Sequence, residues 1–301
     1  MSKLWQGHVI EGTRFLLPAY GMTPRHVLCA VGVGLDPDVI SRVVEEAGGG
    51  YFELDEFQRE PDPRMRECFD AALDSRQATG DDEFGESDWA AVDAHDSVAY
   101  VLSPPIAQPT GLDVSRRALA VTAALLAHGA TAVKNESSGV TCGRERWLAL
   151  ANQAAAAETV DDLALALVPA WVAPMIYDGE VFYSCGMHLL GEPDVELDPG
   201  TTGVPEPKLL LDWMATMQIA SYYLLTEQPE HGIQNGEGFR ITQDAPRWIM
   251  NRVECERFED DDFFHNPYGY WRLTPAARDP RRRARLKTRN PRTTLGTRRK
   301  R

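Results

Sequence analysis

The stretch HVLCAVGVG at residues 26–34 decides the fold, because it is an apolar run rich in β-branched residues. A run of this length, followed by turn residues, is typical of a buried β-strand. Asp36 and Pro37 come directly after it and supply an N-cap and a first-turn proline for a helix. Three consecutive glycines end that helix, and residues 51–57 (YFELDEF) then alternate apolar with acidic side chains, as a half-exposed strand does. The sequence therefore predicts a β-α-β unit.

Beyond this unit, strands and helices alternate at first, and strands dominate later around one long helix. We expect further helices at residues 64–73, 113–129, 143–157 and 205–226, and further strands at 97–102, 131–134, 164–172, 180–185, 238–241, 249–258 and 270–273. The polar residues 74–88 are predicted to form a loop. The order of elements predicts an α+β or α/β fold, with a mixed sheet, flanking helices, a β-α-β N-terminal half and a strand-rich C-terminal half.

The composition divides the chain into four parts. We predict an N-terminal extension at residues 1–25, an α/β subdomain at 26–110, an α+β subdomain packed on the first at 111–277, and a disordered basic tail at 278–301. The tail contains two leucines and neither an aromatic nor a β-branched apolar residue, so it has little to bury in a core.

The formal net charge of −14 conceals two regions of opposite sign. Residues 278–301 contain 12 Lys and Arg side chains and one acid, whereas residues 1–277 contain 19 basic and 44 acidic residues. A body this acidic repels nucleic acid and anionic lipid over most of its surface, and it attracts basic proteins. We therefore expect a basic protein partner, and we expect nucleic acid only through the tail.

Three interpretations of the tail stay open at this stage. It can bind RNA or another polyanion through phosphate contacts, or it can fold back on the acidic body as an intramolecular charge match. It can also be foreign to the fold, for instance the product of a shifted reading frame in GC-rich DNA. The composition changes abruptly after Pro275, which favours a tail that is dispensable to the fold.

Cysteine usage and hydropathy predict the cellular compartment of the protein. The five cysteines are scattered and form neither a CxxC pair nor a recognisable disulfide framework, which favours a reducing cytosol. The first residues lack the apolar core of a signal peptide, and no run of about 18 apolar residues is present to cross a bilayer. We therefore expect a cytoplasmic protein without a membrane span, whose oligomeric state these features do not determine.

Two segments resemble a known group of sequences. Residues 118–139 (ALAVTAALLAHGATAVKNESSG) combine an amphipathic helix, Gly-Ala and a short strand ending in Ser-Gly. Residues 181–197 (VFYSCGMHLLGEPDVEL) contain aromatic-x-x-Gly-Met followed by Gly-x-Pro-Asp-Val-Glu-Leu. Together they resemble a family of bacterial domains of unknown function, whose members often lie near secretion-system effectors and polymorphic toxins. The resemblance implies an immunity or accessory role and supplies no catalytic residues.

The glycines of the first strand-to-helix turn invite comparison with a dinucleotide-binding loop. Gly32 and Gly34 have the required spacing, but Pro37 stands where a third glycine is needed. Asp36 also places a negative charge where a phosphate would bind. The sequence therefore predicts a tight turn and no nucleotide cofactor.

A metal site is also not expected. Cys185 and His188 have the spacing of half a zinc site, but a structural zinc ion needs four ligands in tetrahedral geometry. The other candidate ligands are isolated along the chain: Cys142, His231, Cys255 and His265. We interpret Cys185 as a core residue at the end of a strand.

A catalytic site is the main alternative to a binding function. Cys142 precedes a predicted helix, whose dipole would stabilise a thiolate, and catalysis would also need a histidine and an acid. His188 and Glu136 are candidates for these roles, although no hydrolase motif surrounds them. Thr141 is predicted instead to cap the helix, with Cys142 buried. A hydrolase or transferase with an unrecognised site thus stays possible, and Cys142, His188 and Glu136 are the first residues to mutate.

A partner-binding surface is predicted around the densest acidic cluster. Its members are four consecutive acids and three aromatic residues: Glu259, Asp260, Asp261, Asp262, Trp248, Tyr268 and Trp271. The acids lack the spacing of a calcium loop, and the aromatic residues either anchor a partner or close the core. The leading hypothesis is a non-enzymatic binding protein, namely an immunity or accessory protein of a bacterial toxin or secretion system.

Overall fold

The computed structural model describes residues 23–74, 84–200, 206–227 and 232–276. The helices in these ranges are α1 (Pro37–Ala47), α2 (Met65–Asp74), α3 (Glu86–Asp93), α4 (Gly111–Ala127), α5 (Arg144–Ala156), α6 (Val160–Trp171) and α7 (Pro207–Thr226). The strands are β1 (Val27–Gly32), β2 (Glu53–Gln58), β3 (Ser97–Leu102), β4 (Ala130–Asn135), β5 (Val140–Thr141), β6 (Ala173–Tyr177), β7 (Phe182–Cys185), β8 (Asp194–Leu197), β9 (Glu237–Phe239), β10 (Trp248–Val253) and β11 (Tyr270–Pro275). Two 3₁₀ turns occupy Gln108–Thr110 and Met187–Leu190. The fold class is α+β, as predicted.

The first sheet is antiparallel and has the strand order β2-β3-β1-β4-β5. Its central strand β1 is buried along its whole length. Because successive residues of a strand face opposite sides, Leu28 and Ala30 pack with α1 and α4, whereas Cys29 and Val31 pack with α2 and α3. The sheet therefore has helices on both faces.

The predicted β-α-β unit is present, and its helix begins as the sequence indicates. The Asp36 Oδ1 atom accepts a hydrogen bond from the N–H of Asp38 at 2.9 Å, and Pro37 occupies the first helical position. β3 pairs antiparallel with both β1 and β2 and so lies between them. The unit is therefore split by a strand that comes later in the chain.

The second sheet has the order β6-β7-β8-β11-β10-β9 and is mixed. β8 and β11 run parallel, whereas the other neighbouring strands are antiparallel. The long helix α7 packs on this sheet, and the rings of Trp213 and Phe182 lie 5.5 Å apart between centroids. This agrees with the prediction of a strand-rich region around one long helix.

The prediction for residues 164–172 was wrong, because most of this segment belongs to helix α6. Thr159 caps the helix by accepting a hydrogen bond from the N–H of Asp162 at 3.1 Å. Ala164, Leu167 and Trp171 are among its buried residues. A helix that is buried on most sides carries a continuous apolar run, which periodicity alone does not distinguish from a buried strand.

Smaller differences concern the ends and the shortest elements. α3 begins at Glu86, inside the predicted loop, and the short strands β5, β6 and β8 were not predicted. Thr141 lies in β5 rather than at a cap, and the N-cap of α5 is Gly143, without a side-chain hydrogen bond. Short strands of this kind have too few residues to show a periodic pattern.

The core continues from one sheet to the other. One cluster of buried apolar residues includes Leu28 and Val101 of the first sheet together with Val195 and Leu273 of the second. The division into subdomains near residue 110 stays a prediction, and the predicted basic tail lies outside the described residues. None of the helices in the described ranges combines the length and the apolar character that crossing a bilayer needs.

Candidate functional site

A cleft of about 760 Å³ opens on the face of the first sheet that carries α2. Its apolar lining comes from the sheet, from α2 and from the segment 262–264, which precedes β11: Val27, Met65, Leu102, Pro105, Phe263 and Phe264. Ligand sites in proteins have volumes of about 300–1,000 Å³, so the cleft is large enough for a side chain or a short peptide segment. Phe263 is 44% exposed, which leaves an aromatic face open to a partner.

The rim of the cleft is acidic. Its carboxylates, called the rim acids below, are Asp55, Glu56, Glu136 and Asp262. The pairing of β2 with β3 shifts register between Leu54 and Glu56, and this bulge brings two successive acids to the same cleft. Within the described residues, no ion pair to Lys or Arg involves Asp55, Glu56 or Asp262. These three carboxylates therefore have no counter-charge within ion-pair distance among the described residues.

Two arginines also line the cleft, and one of them is neutralised. Arg64 makes a bidentate pair with Asp62, with Nη2 at 2.7 Å from Oδ2 and Nε at 3.0 Å from Oδ1. These hydrogen bonds lower the pKa of Asp62 to about 2, so its charge persists at neutral pH. Arg25 is the second arginine. The balance of the lining is acidic, and the field in the cleft favours a cation.

Glu136, the fourth rim acid, pairs with a buried lysine. The Lys134 Nζ atom lies 2.9 Å from Glu136 Oε2, and the two side chains are 6% and 27% exposed. An ammonium group so far from water needs this carboxylate, because an unpaired buried charge is costly. Glu136 therefore has a structural role in addition to its place at the rim.

We expect Glu136→Gln to lower the free energy of unfolding by about 2 kcal/mol, because the buried Lys134 ammonium loses its counter-charge. Changing both residues, as Lys134→Met with Glu136→Gln, should restore stability to within about 1 kcal/mol of the wild type. Urea unfolding measures both values. Asp93→Asn, in the exposed pair with Arg66, is the control and should cost less than about 0.5 kcal/mol. A double variant as unstable as Glu136→Gln alone would contradict this account.

A phenol group that lines the cleft, Tyr100, and the fully buried thiol of Cys29 next to it are kept neutral. Burial raises the pKa of Cys29 to about 12, and burial also raises the pKa of Tyr100. The Cys29 Sγ atom lies 3.8 Å from the sulfur of Met65. A protonated buried thiol is a poor nucleophile, so Cys29 supports the packing of α2 on the sheet rather than covalent chemistry.

A buried polar cluster fixes the segment that forms the far wall of the cleft. Asp194, 1% exposed, accepts hydrogen bonds from Ser184 Oγ at 2.8 Å, from the N–H of Met187 at 3.2 Å and from Asn266 Nδ2 at 2.7 Å. Asn266 also accepts from the N–H of Tyr268 and donates to the carbonyl of Glu192. We call Asp194, Ser184 and Asn266 the polar hub. The hub ties β7 and β8 to the turn that follows Asp262 and the two phenylalanines.

A second buried network joins the first sheet to the region of the hub. The His26 ring lies between Ser115 Oγ, 2.8 Å from Nε2, and Asn135 Nδ2, 3.0 Å from Nδ1. Ser115 in turn donates to the carbonyl of Leu189 at 2.7 Å. Burial, and then the neighbouring His188, lower the pKa of His26 to about 3. His26 is therefore neutral and structural at physiological pH.

The three residues proposed for a catalytic test occupy different environments. Glu136 lines the cleft, whereas Cys142 belongs to the main core and His188 lies in the buried turn Met187–Leu190. The His188 ring is 1% exposed, and its Nδ1 atom is 3.9 Å from Asp194 Oδ2. The lining of the cleft contains Glu136 and neither of the other two.

The predicted partner surface divides into an exposed and a buried part. Glu259, Asp260 and Asp261 are exposed, and Asp262 lines the cleft. The aromatic residues belong to the interior, at 6% exposure for Trp248 and 8% for Tyr268 and Trp271. They close the core, and the exposed aromatic contact beside the acids is Phe263 instead.

Side chains of the protein itself occupy the turn between β1 and α1, whose glycine spacing is that of a dinucleotide-binding loop. Asp96 Oδ1 accepts from the N–H of Gly34 at 2.7 Å, and Ser97 Oγ accepts from the N–H of Leu35 at 3.2 Å. Among the described residues, no three His, Cys, Asp or Glu side chains are grouped closely enough to hold a metal ion. Cys185 is a buried strand residue, as interpreted from the sequence, and His231 lies outside the described ranges.

Comparisons with protein-family models, with curated proteins and with solved structures give no match to this chain. The fold and the site by themselves define the protein as an α+β protein with an acidic cleft beside its first sheet. The resemblance to a bacterial domain family stays a prediction.

Proposed function

We propose that this protein is a non-enzymatic binding protein that takes a basic segment of a partner protein into the cleft. The carrying observation is that acids from distant parts of the chain meet around one apolar depression with an exposed phenylalanine. Lys and Arg side chains have apolar stems and charged heads, which match an apolar floor under an acidic rim. The net negative charge of the body would also accelerate encounter with such a partner.

We further propose that the partner is a toxin or effector, and that the protein serves in the cytosol as its immunity or accessory protein. Acidic inhibitors of basic enzymes gain speed and specificity from complementary charge, which supports this role. Co-expression with the product of each neighbouring gene tests it. Protection against one toxic product is expected, and the absence of protection against all of them would contradict the role.

The binding proposal is tested with a fluorescent nona-arginine peptide as the probe. The protein for this measurement is a tail-neutral chain, in which the 12 Lys and Arg residues of 278–301 are replaced by glutamine, so that the tail cannot compete with the probe. We expect Asp55→Asn, Glu56→Gln and Asp262→Asn together to weaken binding by about 10- to 100-fold, because each lost ion pair contributes up to about 1 kcal/mol. Fluorescence anisotropy at low and high salt measures the change.

These substitutions are chosen to leave the fold unchanged. Asp262 Oδ1 accepts from the N–H of Phe264 at 2.8 Å, and the Oδ1 atom of asparagine can replace it. The matched control neutralises three exposed acids on α1, which packs on the opposite face of the sheet: Asp38→Asn, Glu45→Gln and Glu46→Gln. Equal weakening by the control and the cleft variant would overturn the assignment of the cleft.

A further inference from the structure

The chain itself contains a segment with the chemistry that the cleft favours. Residues 278–301 carry 12 Lys and Arg side chains and a single acid. Three of the rim acids are free of described ion pairs, and Phe263 offers an aromatic face to a guanidinium or ammonium group. The charge of the segment and the charge of the cleft are therefore complementary.

The segment is long enough to reach the cleft. The described chain ends at Ala276, which is 12 residues beyond Phe264 of the cleft wall. Those 12 residues span at most about 42 Å, whereas the 25 residues after Ala276 span up to about 80 Å when extended. Several basic residues of the segment can therefore meet the rim.

A second acidic depression, of about 510 Å³, lies on the second sheet. Its acids are Asp178, Glu180, Glu196, Glu254 and Glu256. Arg257 pairs with Asp178 and Glu196, and Arg272 pairs with Glu196. The lining of this depression is mainly polar, whereas the cleft presents six apolar side chains to the stems of Lys and Arg. The apolar lining therefore favours the cleft as the site for a basic segment.

We infer that residues 278–301 bind in the cleft of their own chain and compete there with the basic partner. This inference rests on the proposed function of the cleft. A tethered segment acts at an effective concentration of about 1 mM, so even weak affinity fills the site in the absence of a partner. The tail thereby raises the affinity for the cleft that a partner needs in order to bind. Weakly basic proteins are excluded, and a partner that makes several well-placed contacts displaces the tail.

Zero-length cross-linking with a carbodiimide locates the tail, because the reagent joins lysine amines to carboxylates that touch them. The full natural chain is used, and Lys287 and Lys300 report the tail. At low salt we expect intramolecular cross-links from these lysines to Asp55, Glu56 or Asp262. Their yield should fall by about tenfold at about 0.5 M salt, where surface charges are screened. Nona-arginine should reduce the same products.

A second measurement tests competition. Nona-arginine should bind the tail-neutral chain about tenfold more tightly than the natural chain, because no internal segment has to be displaced. A chain with the tail residues in scrambled order keeps the charge and should behave as the natural chain. In the variant with neutralised α1 acids, the cross-links to the cleft should persist.

The outcomes separate the two proposals. If nona-arginine binds the cleft of the tail-neutral chain, but the tail lysines cross-link to α1 acids or to no acid, the tail inference is wrong and the proposed function stands. Cross-links to the cleft from Lys3 alone would overturn the inference in favour of the N-terminal segment. If nona-arginine does not bind the tail-neutral chain, the proposed function itself fails.

Discussion

Asp194→Ala is expected to lower the free energy of unfolding by about 4 kcal/mol, since three buried donors lose their acceptor together. The donors are the Ser184 hydroxyl, the Met187 N–H and the Asn266 amide, and each costs about 1–3 kcal/mol when it is left unsatisfied. The turn Met187–Leu190 and the segment before β11 are both held by this carboxylate. The substitution should therefore loosen the cleft wall as well as the fold.

Asp194→Asn is expected to cost nearly as much, although the asparagine side chain has the same shape. All three described hydrogen bonds are donated to the carboxylate, so one amide N–H of asparagine must face a donor. Asn266 cannot compensate by reversing its amide, because its oxygen accepts from the N–H of Tyr268 and its nitrogen donates to the carbonyl of Glu192. Both Oδ1 and Oδ2 of residue 194 must therefore be hydrogen-bond acceptors.

Urea unfolding at neutral pH measures these losses, and hydrogen exchange reports the loosened wall. The control is Asp113→Ala on α4, whose carboxylate is 66% exposed and pairs with Arg117, and it should cost less than about 0.5 kcal/mol. Losses below about 1 kcal/mol for both Asp194 variants would show that the polar hub does not hold this region.

The elements that could be predicted are those whose own residues determine their structure. β1 is a continuous β-branched run, and α1 has its cap and its proline in the adjacent sequence, so both were predicted correctly. α6 was mistaken for a strand because burial on most sides removes the periodic signal. Its richness in Ala and Leu, together with Thr159 and two acids at its start, was the signal that could have identified it.

β8 shows why the polar interior could not be predicted. Acidic side chains are usually exposed, yet Asp194 and Glu196 of this four-residue strand are both buried. Asp194 is bound by Asn266, and Glu196 by Arg257 and Arg272, which lie 61 to 76 residues further along the chain. Contacts this distant are properties of the fold and have no local signature.

The candidate site was predicted in part. Asp262 and Glu136 were chosen from the sequence for different reasons, and the structure places both at one cleft. Asp55, Glu56 and Arg25 were not chosen, because their convergence depends on a bulge in β2 and on strand pairing. The alternation in residues 51–57 showed acidic side chains on a strand but could not show what they face.

A large effect of acid pH on stability is expected at His26. Asn135 Oδ1 accepts from the N–H of Ser137, so Asn135 Nδ2 must donate to His26 Nδ1. The proton of the neutral ring is therefore on Nε2 and is donated to Ser115 Oγ, which donates onward to the carbonyl of Leu189. A second proton on Nδ1 would face an amide N–H, at a ring that is fully buried.

The direction of the pH effect follows from the pKa of His26, about 3 in the fold against an ordinary 6.5. Between these values the histidine of the unfolded chain binds one more proton than that of the folded chain, so the contribution of His26 to stability falls as the pH falls. The loss is about 1.4 kcal/mol for each pH unit below 6.5 and reaches about 4–5 kcal/mol near pH 3.

Urea unfolding from pH 7.5 to pH 5, compared between the natural chain and His26→Gln, isolates this contribution, because Glu192, whose pKa burial raises to about 7, is present in both chains. The natural chain should lose about 2 kcal/mol more than His26→Gln over the interval, and the slopes are compared because the substitution itself lowers stability at every pH. His128→Gln is the control, since His128 is exposed at the end of α4 and should keep the natural slope. Equal slopes for the natural chain and His26→Gln would mean that the fold does not lower the pKa of His26, and the neutral, buried role assigned to the ring would be wrong.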